Sequence, residues 1–313
     1  MTAVRMDGEA AAAALRDRLA AGIVARGGAG PPPGLATVLV GEDYAARAYE
    51  RRLAHLARAI GCHYVGVRLP EDAEQAECLA AVGGLNADPR VSGILVLRPL
   101  PPQVSEVGLY RVLDPAKDIE AMHPLNAGLL ALGRPRFVPS TPASCFFLLD
   151  RYLEASGRDP AAFYRRATVA VVGRSNNVGK PAALLALSRH ATVVSCDEHT
   201  HRAGRLAALT RQAQVVVVAA GVPGLIDADH VAAGAIVVDV GINPVKDPES
   251  GRTRLVGDVD PVSVADRAEA LSPVPGGVGP VTDVWLVYNA MLATRPAGEA
   301  HPGAVAPPVL PGA

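Results

Sequence analysis

Apolar and polar residues alternate along the first part of the chain in patterns that predict helices and strands. An alanine-rich amphipathic stretch from Gly8 to Arg26 predicts a helix, and prolines at positions 31–33 separate it from the apolar segment LATVLVG. Further helices are predicted over residues 45–60, 73–87 and 142–156, with strands over 64–67 and 91–97. Because continuous β-branched runs between helices are typical of parallel strands covered on both faces, the pattern predicts an α/β fold.

A second β–α series begins at residue 168, which predicts two domains. Its strands are predicted at ATVAVVG, ATVVSC, AQVVVVAAG and GAIVVDVG, and its helices over residues 180–189 and 202–211. A last helix, 283–293, follows the loop PVPGGVGP. We predict one domain over residues 1–140, completed by a returning helix at 283–294, and a second over 141–282 with a parallel sheet. The tail 295–313, rich in Pro, Ala and Gly, is predicted to be disordered.

Composition excludes several classes of protein. The 313-residue chain has a formal net charge of −1, which gives no basis for expecting nucleic acid or an anionic membrane as a partner. No apolar run approaches the roughly 18 residues that span a bilayer, and the N-terminus lacks the features of a secretion signal. The four cysteines are far apart and form no C-x-x-C pair, so we expect no metal site and a cytoplasmic location.

The segment VAVVGRSNNVGKP, residues 169–181, is the strongest local signal of a ligand site. An apolar strand ends at Gly173, and Gly179 and Pro181 open a helix, which presents backbone N–H groups to a pyrophosphate. Pro181 occupies the Ser/Thr position of a P-loop, so a nucleotide-triphosphate loop is excluded. The next strand ends in Asp197 and Glu198, whose carboxylates can accept hydrogen bonds from the adenosine ribose and would repel a 2′-phosphate. For Glu198, an exposed acidic loop is an equal alternative.

Several motifs in the same order resemble those of the bifunctional methylenetetrahydrofolate dehydrogenase/cyclohydrolase family. They are VVGRSNNVGKP, GAIVVDVGIN, VGDVD and SPVPGGVGPVT, and the similarity runs from Met6 to the last helix. The resemblance implies an N-terminal α/β folate domain, a Rossmann-type C-terminal nucleotide domain, a folate site in the cleft and a homodimer formed through the nucleotide domain.

The resemblance also implies which residues contact the cofactor. They are Gly173, Arg174, Ser175, Val178, Asp197, Glu198, Ala220, Gly221, Gly241, Ile242, Asn243 and Thr282. Where NADP-using relatives have C-H-S-x-T, this chain has CDEHT, so we expect NAD as cofactor. Arg174, which helps to bind the 2′-phosphate in such relatives, is retained and leaves NADP as the alternative.

The first two folate-site motifs of the family are altered. The motif Y-V-x-x-K is YERRL here, which keeps Tyr49 and places Leu53 at the position of the lysine. The motif V-Q-L-P-L-P is VLRPLP, in which Leu97 replaces the glutamine that orients the lysine. Leucine can neither activate water nor move a proton. The paired change indicates a refashioned pocket wall, with Arg51, Arg52 and Arg98 near it; the alternative is that both leucines pack in an inactive cleft.

The third folate-site motif, K-D-V-D-G, is KDIEA, with Glu120 in place of the aspartate expected to hold the pterin. The matching Lys117 and Asp118 precede it, and we interpret the following His123 as structuring the loop rather than as a catalytic base. The resemblance thus places catalytic positions at Tyr49, Leu53, Leu97 and Glu120. It places substrate contacts at Tyr49, Leu97, Pro99, Leu100, Glu120, Pro275, Gly276 and Gly277.

These departures beside a retained cofactor loop predict a dehydrogenase without cyclohydrolase activity. Its reaction would be the NAD-dependent oxidation of 5,10-methylenetetrahydrofolate to the methenyl form, because hydride transfer depends chiefly on holding the one-carbon unit near the nicotinamide. Two alternatives stay open. One is a repurposed enzyme acting on another folate adduct or small cyclic substrate in specialised metabolism, and the other is a non-catalytic folate- or nucleotide-binding protein.

Overall fold

The computed structural model describes residues 2–25, 32–246 and 252–295, which form two compact units. The six-stranded unit contains residues 2–13 and 141–282, and the three-stranded unit contains residues 14–140 and those that follow 282. The predicted helix end at Arg26, the proline at 31 and nearly all of the predicted disordered tail lie outside the described residues. Of the helices in the described ranges, none is long and apolar enough to cross a membrane.

The elements follow one another as the alternating pattern predicts. Those of the first half are β1 (Val4–Arg5), α1 (Gly8–Ala25), β2 (Gly34–Val40), α2 (Tyr44–Ile60), β3 (His63–Leu69), α3 (Gln75–Ala87), β4 (Gly93–Val96), α4 (Glu106–Val112) and α5 (Pro124–Ala131). Those of the second half are α6 (Ser140–Ala155), α7 (Pro160–Tyr164), β5 (Thr168–Val172), α8 (Gly179–Ser188), β6 (Thr192–Cys196), α9 (Glu198–Arg202), α10 (Leu206–Thr210), β7 (Val215–Val218), a 3-10 turn (Ala228–His230), β8 (Ile236–Asp239), β9 (Asn243–Lys246), β10 (Thr253–Val256), α11 (Pro261–Ala265), β11 (Ala270–Leu271) and α12 (Val278–Leu292).

The three-stranded unit is built on a parallel sheet in the order β3-β2-β4. The central strand β2 is buried at every residue, including Thr37, as its mainly apolar sequence predicts. The second half of α12 packs against this sheet, since a Cβ built at Gly93 would lie 3.1 Å from the Cβ of Ala290. One residue earlier, Asn289 donates its side-chain amide to the carbonyl oxygens of Ile119 and Val138, both at 2.8 Å. The returning helix therefore fixes the loops that follow β4.

The six-stranded unit is a parallel sheet in the order β1-β11-β8-β7-β5-β6. Its edge strand β1 comes from the start of the chain, where Val4 pairs with Ala270 and Arg5 with Leu271. Residues 2–13 therefore belong to this unit, whereas the sequence assigned them to the 1–140 domain. The difference arises because a strand of two residues has no apolar period to read.

Three local features also differ from the predicted pattern. The helix predicted over 202–211 is wrong in its first part: Arg202 is the last residue of α9, Gly204 with its φ of +67° interrupts the helical conformation, and α10 covers Leu206–Thr210. The last helix begins at Val278 rather than Asp283, because Pro280 lies in the first turn, where its missing N–H breaks no helical hydrogen bond. The antiparallel pair β9–β10 was not predicted.

Candidate functional site

The predicted cofactor residues of the six-stranded unit lie where neighbouring parallel strands end. Gly173 follows β5, and Asp197 follows β6. Ala220 lies just beyond β7 and Gly241 just beyond β8. Because β6, β5, β7 and β8 are adjacent and parallel, these loops share the carboxyl edge of one sheet. This edge is where open α/β sheets bind their ligands.

The loop after β5 brings the start of α8 directly against the strand end. Gly173 has a φ of +114°, and a Cβ built at Gly179 would overlap the carbonyl group of Gly173. The hydroxyl of Ser175 accepts hydrogen bonds from the backbone N–H of Val178 at 3.2 Å and of Gly179 at 3.3 Å. Both glycines are therefore required by close approach of the backbone, which is the property that suits such a loop to a pyrophosphate.

Arg174 is held by the neighbouring strand β6 and its loop. Its guanidinium contacts the carboxylate of Asp197 at 2.8 Å, the hydroxyl of Ser195 at 3.0 Å and the carbonyl oxygen of Ser195 at 2.8 Å. The other oxygen of Asp197 caps α9 by accepting from the backbone N–H of Thr200 at 3.0 Å. This capping bond, followed by the Thr200 hydroxyl and the Arg174 charge, lowers the pKa of Asp197. Asp197 and Arg174 thus form one unit in which the two charges offset each other.

Glu198 has partners on its own short helix. Its carboxylate accepts from Arg202 at 3.0 Å, and its side chain is 64% exposed. Asp197 is thus the carboxylate that pairs with Arg174, and Glu198 is an exposed acidic residue paired with Arg202.

Two buried aspartates that sequence reasoning did not single out tie the remaining cofactor loops together. Asp239, the last residue of β8, accepts from the backbone N–H of Gly241 at 2.9 Å, Asp258 at 3.0 Å and Val259 at 3.1 Å. Burial raises the pKa of Asp239 to about 6. The signal that could have found it was available, since GAIVVDVGIN and VGDVD each carry an aspartate among apolar residues.

Asp258 holds two predicted cofactor loops at once. It is fully buried and accepts from the backbone N–H of Ala220 at 2.6 Å and of Gly221 at 2.8 Å. Its other oxygen accepts from the side-chain amide of Asn243 at 2.8 Å. Ile242, between these contacts, is 60% exposed and offers an apolar surface. The loops after β7 and β8 are therefore fixed to each other by one carboxylate.

The predicted contacts from the last part of the chain also lie in the six-stranded unit. Pro275 is exposed and Gly276 half-buried, and Gly277 is buried. The backbone N–H of Gly8 donates to the carbonyl oxygen of Gly276 at 2.9 Å, so the N-terminal segment supports this loop. The hydroxyl of Thr282 donates to the carbonyl oxygen of Val278 at 3.1 Å within α12.

In the three-stranded unit, Tyr49 lies among charged groups that come from distant parts of the chain. The guanidinium carbon of Arg52 is 5.0 Å from the centre of the Tyr49 ring, and Arg52 forms an ion pair with Asp283 at 2.6 Å. Burial raises the pKa of Tyr49 well above its ordinary value, the charges of Asp283 and Glu120 raise it further, and that of Arg52 lowers it. Tyr49, Arg52, Asp283 and Glu120 therefore share one neighbourhood.

Glu120 is placed by the backbone of the next element. Its carboxylate accepts from the backbone N–H of Ser140 at 3.0 Å, at the start of α6. Burial raises the pKa of Glu120 from 4.5 to about 7, and the neighbouring Asp118 adds to this while Ser140 and Arg98 oppose it. The group therefore changes its charge near neutral pH.

This raised pKa predicts a pH-dependent stability that Glu120→Gln should remove. The folded protein holds the Glu120 proton more tightly than the unfolded chain, so stability from this group is complete below pH 4.5 and is lost as pH rises through about 7. We expect the free energy of unfolding to fall in this window by up to about 1.4 kcal/mol per pH unit from this residue. Urea unfolding between about pH 5 and 8 measures the slope. As a control, replacing the exposed Glu71 by glutamine should leave the slope of unfolding free energy against pH at its wild-type value. A wild-type slope in Glu120→Gln would contradict the raised pKa of Glu120.

The two leucines at the altered positions are buried. Leu53 on α2 is 0% exposed and Leu97 is 3% exposed. The backbone N–H of Leu97 continues the sheet by donating to the carbonyl oxygen of Val38 at 2.9 Å. Pro99, just beyond it, is exposed, and Leu100 packs partly against the core of this unit.

The arginine predicted beside Leu97 has other partners. Arg98 forms an ion pair with Glu106 on α4, and it donates to the hydroxyl of Tyr110 at 3.1 Å. Arg51 is exposed. Of the three arginines expected near the pocket wall, Arg52 lies over the ring of Tyr49.

The residues around Glu120 organise the backbone. The Lys117 ammonium donates to the carbonyl oxygens of Leu85, Asn86 and Asp88 at 2.7–3.0 Å, where α3 ends. Asp118 accepts from the backbone N–H of His123 at 2.8 Å. His123 caps α5 by accepting from the backbone N–H of Leu125 at 3.0 Å, which confirms its predicted structural role.

Parallel strands whose carboxyl edge carries a glycine turn, a helix start and a following aspartate are typical of a dinucleotide-binding α/β domain. The chain belongs to the tetrahydrofolate dehydrogenase/cyclohydrolase family. The family's catalytic domain matches residues 6–120, and its NAD(P)-binding domain matches residues 139–297. The predicted family, the two-domain α/β fold and the assignment as an enzyme with a nicotinamide cofactor are therefore confirmed.

Individual relatives cover nearly the whole chain. Bifunctional protein FolD 3 of Rubrobacter xylanophilus is 64% identical over 291 residues, which are 93% of this chain and 92% of that protein. The crystal structure of the bifunctional enzyme FolD from Campylobacter jejuni has a TM-score of 0.84 at 35% identity and covers 93% of this chain and 98% of its own. The Trypanosoma brucei FolD, complexed with NADP cofactor and inhibitor, has a TM-score of 0.85 at 34% identity, covering 94% and 97%.

Proposed function

We propose that the protein oxidises 5,10-methylenetetrahydrofolate to the methenyl form with NAD as hydride acceptor, and that it lacks cyclohydrolase activity. The observation that carries this proposal is the burial of Leu53, at the position of the family's lysine, in a unit that keeps Tyr49 and a carboxylate at Glu120. A hydrocarbon side chain cannot accept or deliver the protons that opening of the methenyl bridge requires.

The folate would be held by residues of the three-stranded unit. Tyr49 would stack on the folate, and Glu120 would accept hydrogen bonds from the pterin. Leu97, Pro99 and Leu100 would supply apolar contacts. Glutamate reaches one methylene farther than aspartate, but the hydrogen bond from Ser140 fixes the Glu120 carboxylate at a defined point.

The residues at the carboxyl edge of the six-stranded sheet fit a dinucleotide. The close approach at Gly173 and Gly179 leaves backbone, not side chain, facing the pyrophosphate position, and Ser175 and Val178 lie in the same turn. Gly241, Ile242 and Asn243 would border the nicotinamide, with Thr282 nearby, and Ala220 and Gly221 would be further cofactor contacts. When bound, the nicotinamide supplies the hydride chemistry. The protein's own part is to orient the two reactants and to exclude water.

The Arg174–Asp197 pair favours NAD over NADP. A 2′-phosphate would need the charge of Arg174, but that guanidinium already has Asp197 and Ser195 as partners. A phosphate would also lie beside the carboxylate of Asp197, which repels it. We further expect the enzyme to be a cytoplasmic homodimer associated through its nucleotide domain, in line with the family.

The direct test is an assay of both activities on the purified protein. We expect NADH absorbance to rise with methylenetetrahydrofolate and NAD, and methenyltetrahydrofolate to hydrolyse no faster than in buffer. Fast enzymatic hydrolysis would overturn the proposed loss of cyclohydrolase activity. Failure to form NADH, with folate still bound, would favour the repurposed enzyme or the binding protein.

Cofactor preference is tested by Asp197→Ser. Serine can still cap α9, so the helix should persist, while Arg174 loses its carboxylate partner. We expect the ratio of kcat/KM for NADP to that for NAD to rise roughly tenfold, because a charged hydrogen bond to the phosphate becomes available. Glu198→Ser is the control and should leave the ratio unchanged. Adding Arg174→Ser to Asp197→Ser should cancel the gain; an unchanged ratio in Asp197→Ser would mean that Asp197 does not select the cofactor.

A further inference from the structure

Arg52 and Asp283 form a two-point ion pair between the start and the end of the three-stranded unit. The Nε of Arg52 donates to Oδ2 of Asp283 at 2.6 Å, and Nη2 donates to Oδ1 at 3.3 Å. The Asp283 side chain is only 10% exposed, whereas that of Arg52 is 60% exposed. Two parallel hydrogen bonds fix the plane of a guanidinium far better than one contact does.

The pair lies beside Tyr49, the residue proposed to stack on the folate. The Arg52 guanidinium is over the ring of Tyr49, and the charges of Asp283 and Glu120 both act on the Tyr49 hydroxyl. Arg52 is one residue before Leu53, so it presents its charge from the same helix turn that carries the family's lysine position. Its guanidinium remains protonated at all relevant pH values, which makes it a fixed charge and not a proton acceptor.

The proposed reaction changes the charge of the folate. A neutral methylene bridge between two nitrogens loses a hydride, with both electrons, to NAD⁺, and the product is NADH and an amidinium cation. An arginine standing alone beside this bridge would repel the product. A carboxylate hydrogen-bonded to the Nε and Nη2 groups of the arginine offsets that repulsion.

We propose that Arg52 and Asp283 form a charge-balanced pair that determines how the folate site discriminates between its neutral and cationic ligands. This inference rests on the proposed function, because it assigns the folate to the neighbourhood of Tyr49. Arg52 is the specificity-determining residue, and Asp283 is a positioning residue that acts through it. The pair would thereby let the site hold the cationic product although an arginine is present.

The experiment compares the binding of two probes, tetrahydrofolate and 5,10-methenyltetrahydrofolate, to the full chain by rapid ultrafiltration with absorbance of the free ligand. In Asp283→Asn the charge of Arg52 is no longer balanced, and we expect the ratio of the methenyl Kd to the tetrahydrofolate Kd to rise roughly tenfold. In Arg52→Gln the negative charge of Asp283 is no longer offset by this arginine, and the ratio should fall roughly fivefold. The double variant should return close to the wild-type ratio.

Arg51→Gln is the matched control, since Arg51 is an exposed arginine on the same helix, and its ratio should be unchanged. If the pair had only a structural role, both variants would bind the two ligands more weakly to the same extent. An unchanged Kd ratio, or a ratio that shifts in the same direction in both variants, would overturn the inference and leave the proposed function standing. Arg52→Gln decides the matter alone if Asp283→Asn does not fold. Wild-type protein that binds neither probe would overturn the proposed function itself.

Discussion

Replacing Leu53 by lysine and Leu97 by glutamine together should give the enzyme a measurable cyclohydrolase activity. We expect methenyltetrahydrofolate to hydrolyse roughly 100-fold faster than with the wild-type protein, which adds nothing to the rate in buffer. General acid–base groups contribute about 10²- to 10⁴-fold to such reactions, and we take the lower end because the amine must find its geometry in an altered pocket. The expected readout is the rate at which methenyltetrahydrofolate loses its absorbance.

The two substitutions should be coupled in stability as well as in activity. Leu53 is 0% exposed, so a lysine there alone has a buried amine without a designed partner. Leu97 follows β4, where a glutamine could supply the accepting oxygen. We expect Leu53→Lys alone to be less stable than the double variant and inactive as a cyclohydrolase. Arg51→Lys, an exposed lysine on the same helix, should give no hydrolysis; an inactive double variant that binds folate would mean that the pocket has diverged beyond these positions.

Replacing Asp258 by alanine should both destabilise the six-stranded unit and abolish NAD binding at ordinary concentrations. The change leaves the backbone N–H groups of Ala220 and Gly221 without their acceptor and removes the shorter of the two hydrogen bonds of the Asn243 amide. A buried donor left unpaired costs about 1–3 kcal/mol, so the loss from the two N–H groups should be at least about 2 kcal/mol in the free energy of unfolding. Denaturant unfolding and calorimetric NAD titration measure the two effects.

Asp260→Ala is the matched control for Asp258→Ala. Asp260 caps α11 by accepting from the backbone N–H of Val262 at 3.2 Å, so its loss should cost about 1 kcal/mol and leave NAD affinity intact. Asp258→Asn keeps one carbonyl oxygen for the loop after β7, so it should lower stability and NAD affinity less than alanine does. Wild-type NAD affinity in Asp258→Ala would show that the two loops do not depend on this carboxylate.

The sequence predicted the elements that long apolar runs define and missed those that such runs do not mark. The strands β2, β5, β7 and β8 consist mainly of apolar residues, so their existence and parallel pairing followed from the pattern. The two-residue strands β1 and β11 and the pair β9–β10 depend on tertiary contacts. The break between α9 and α10 needed the positive φ of Gly204, which a helical period does not reveal.

The candidate site was predictable in its loops and less so in its charges. The turn at Gly173 and the acidic position Asp197 could be placed from their spacing. The ion pair of Asp197 with Arg174 could not, because it joins two strands whose neighbouring positions in the sheet are known only from the fold. The same holds for Arg52 and Asp283, whose side chains meet across 231 positions of sequence.

The edge strand β1 has a practical consequence for anyone dissecting this enzyme. Val4–Arg5 leaves the ribosome long before Ala270–Leu271, the strand it pairs with, so the sheet stays open at that edge until synthesis is almost finished. A gene fragment starting near residue 141 would lack β1, so β11 would become an unpaired edge strand that favours aggregation. Affinity tags and fusion partners are better placed after the last helix, because Val4–Arg5 must remain able to pair with β11.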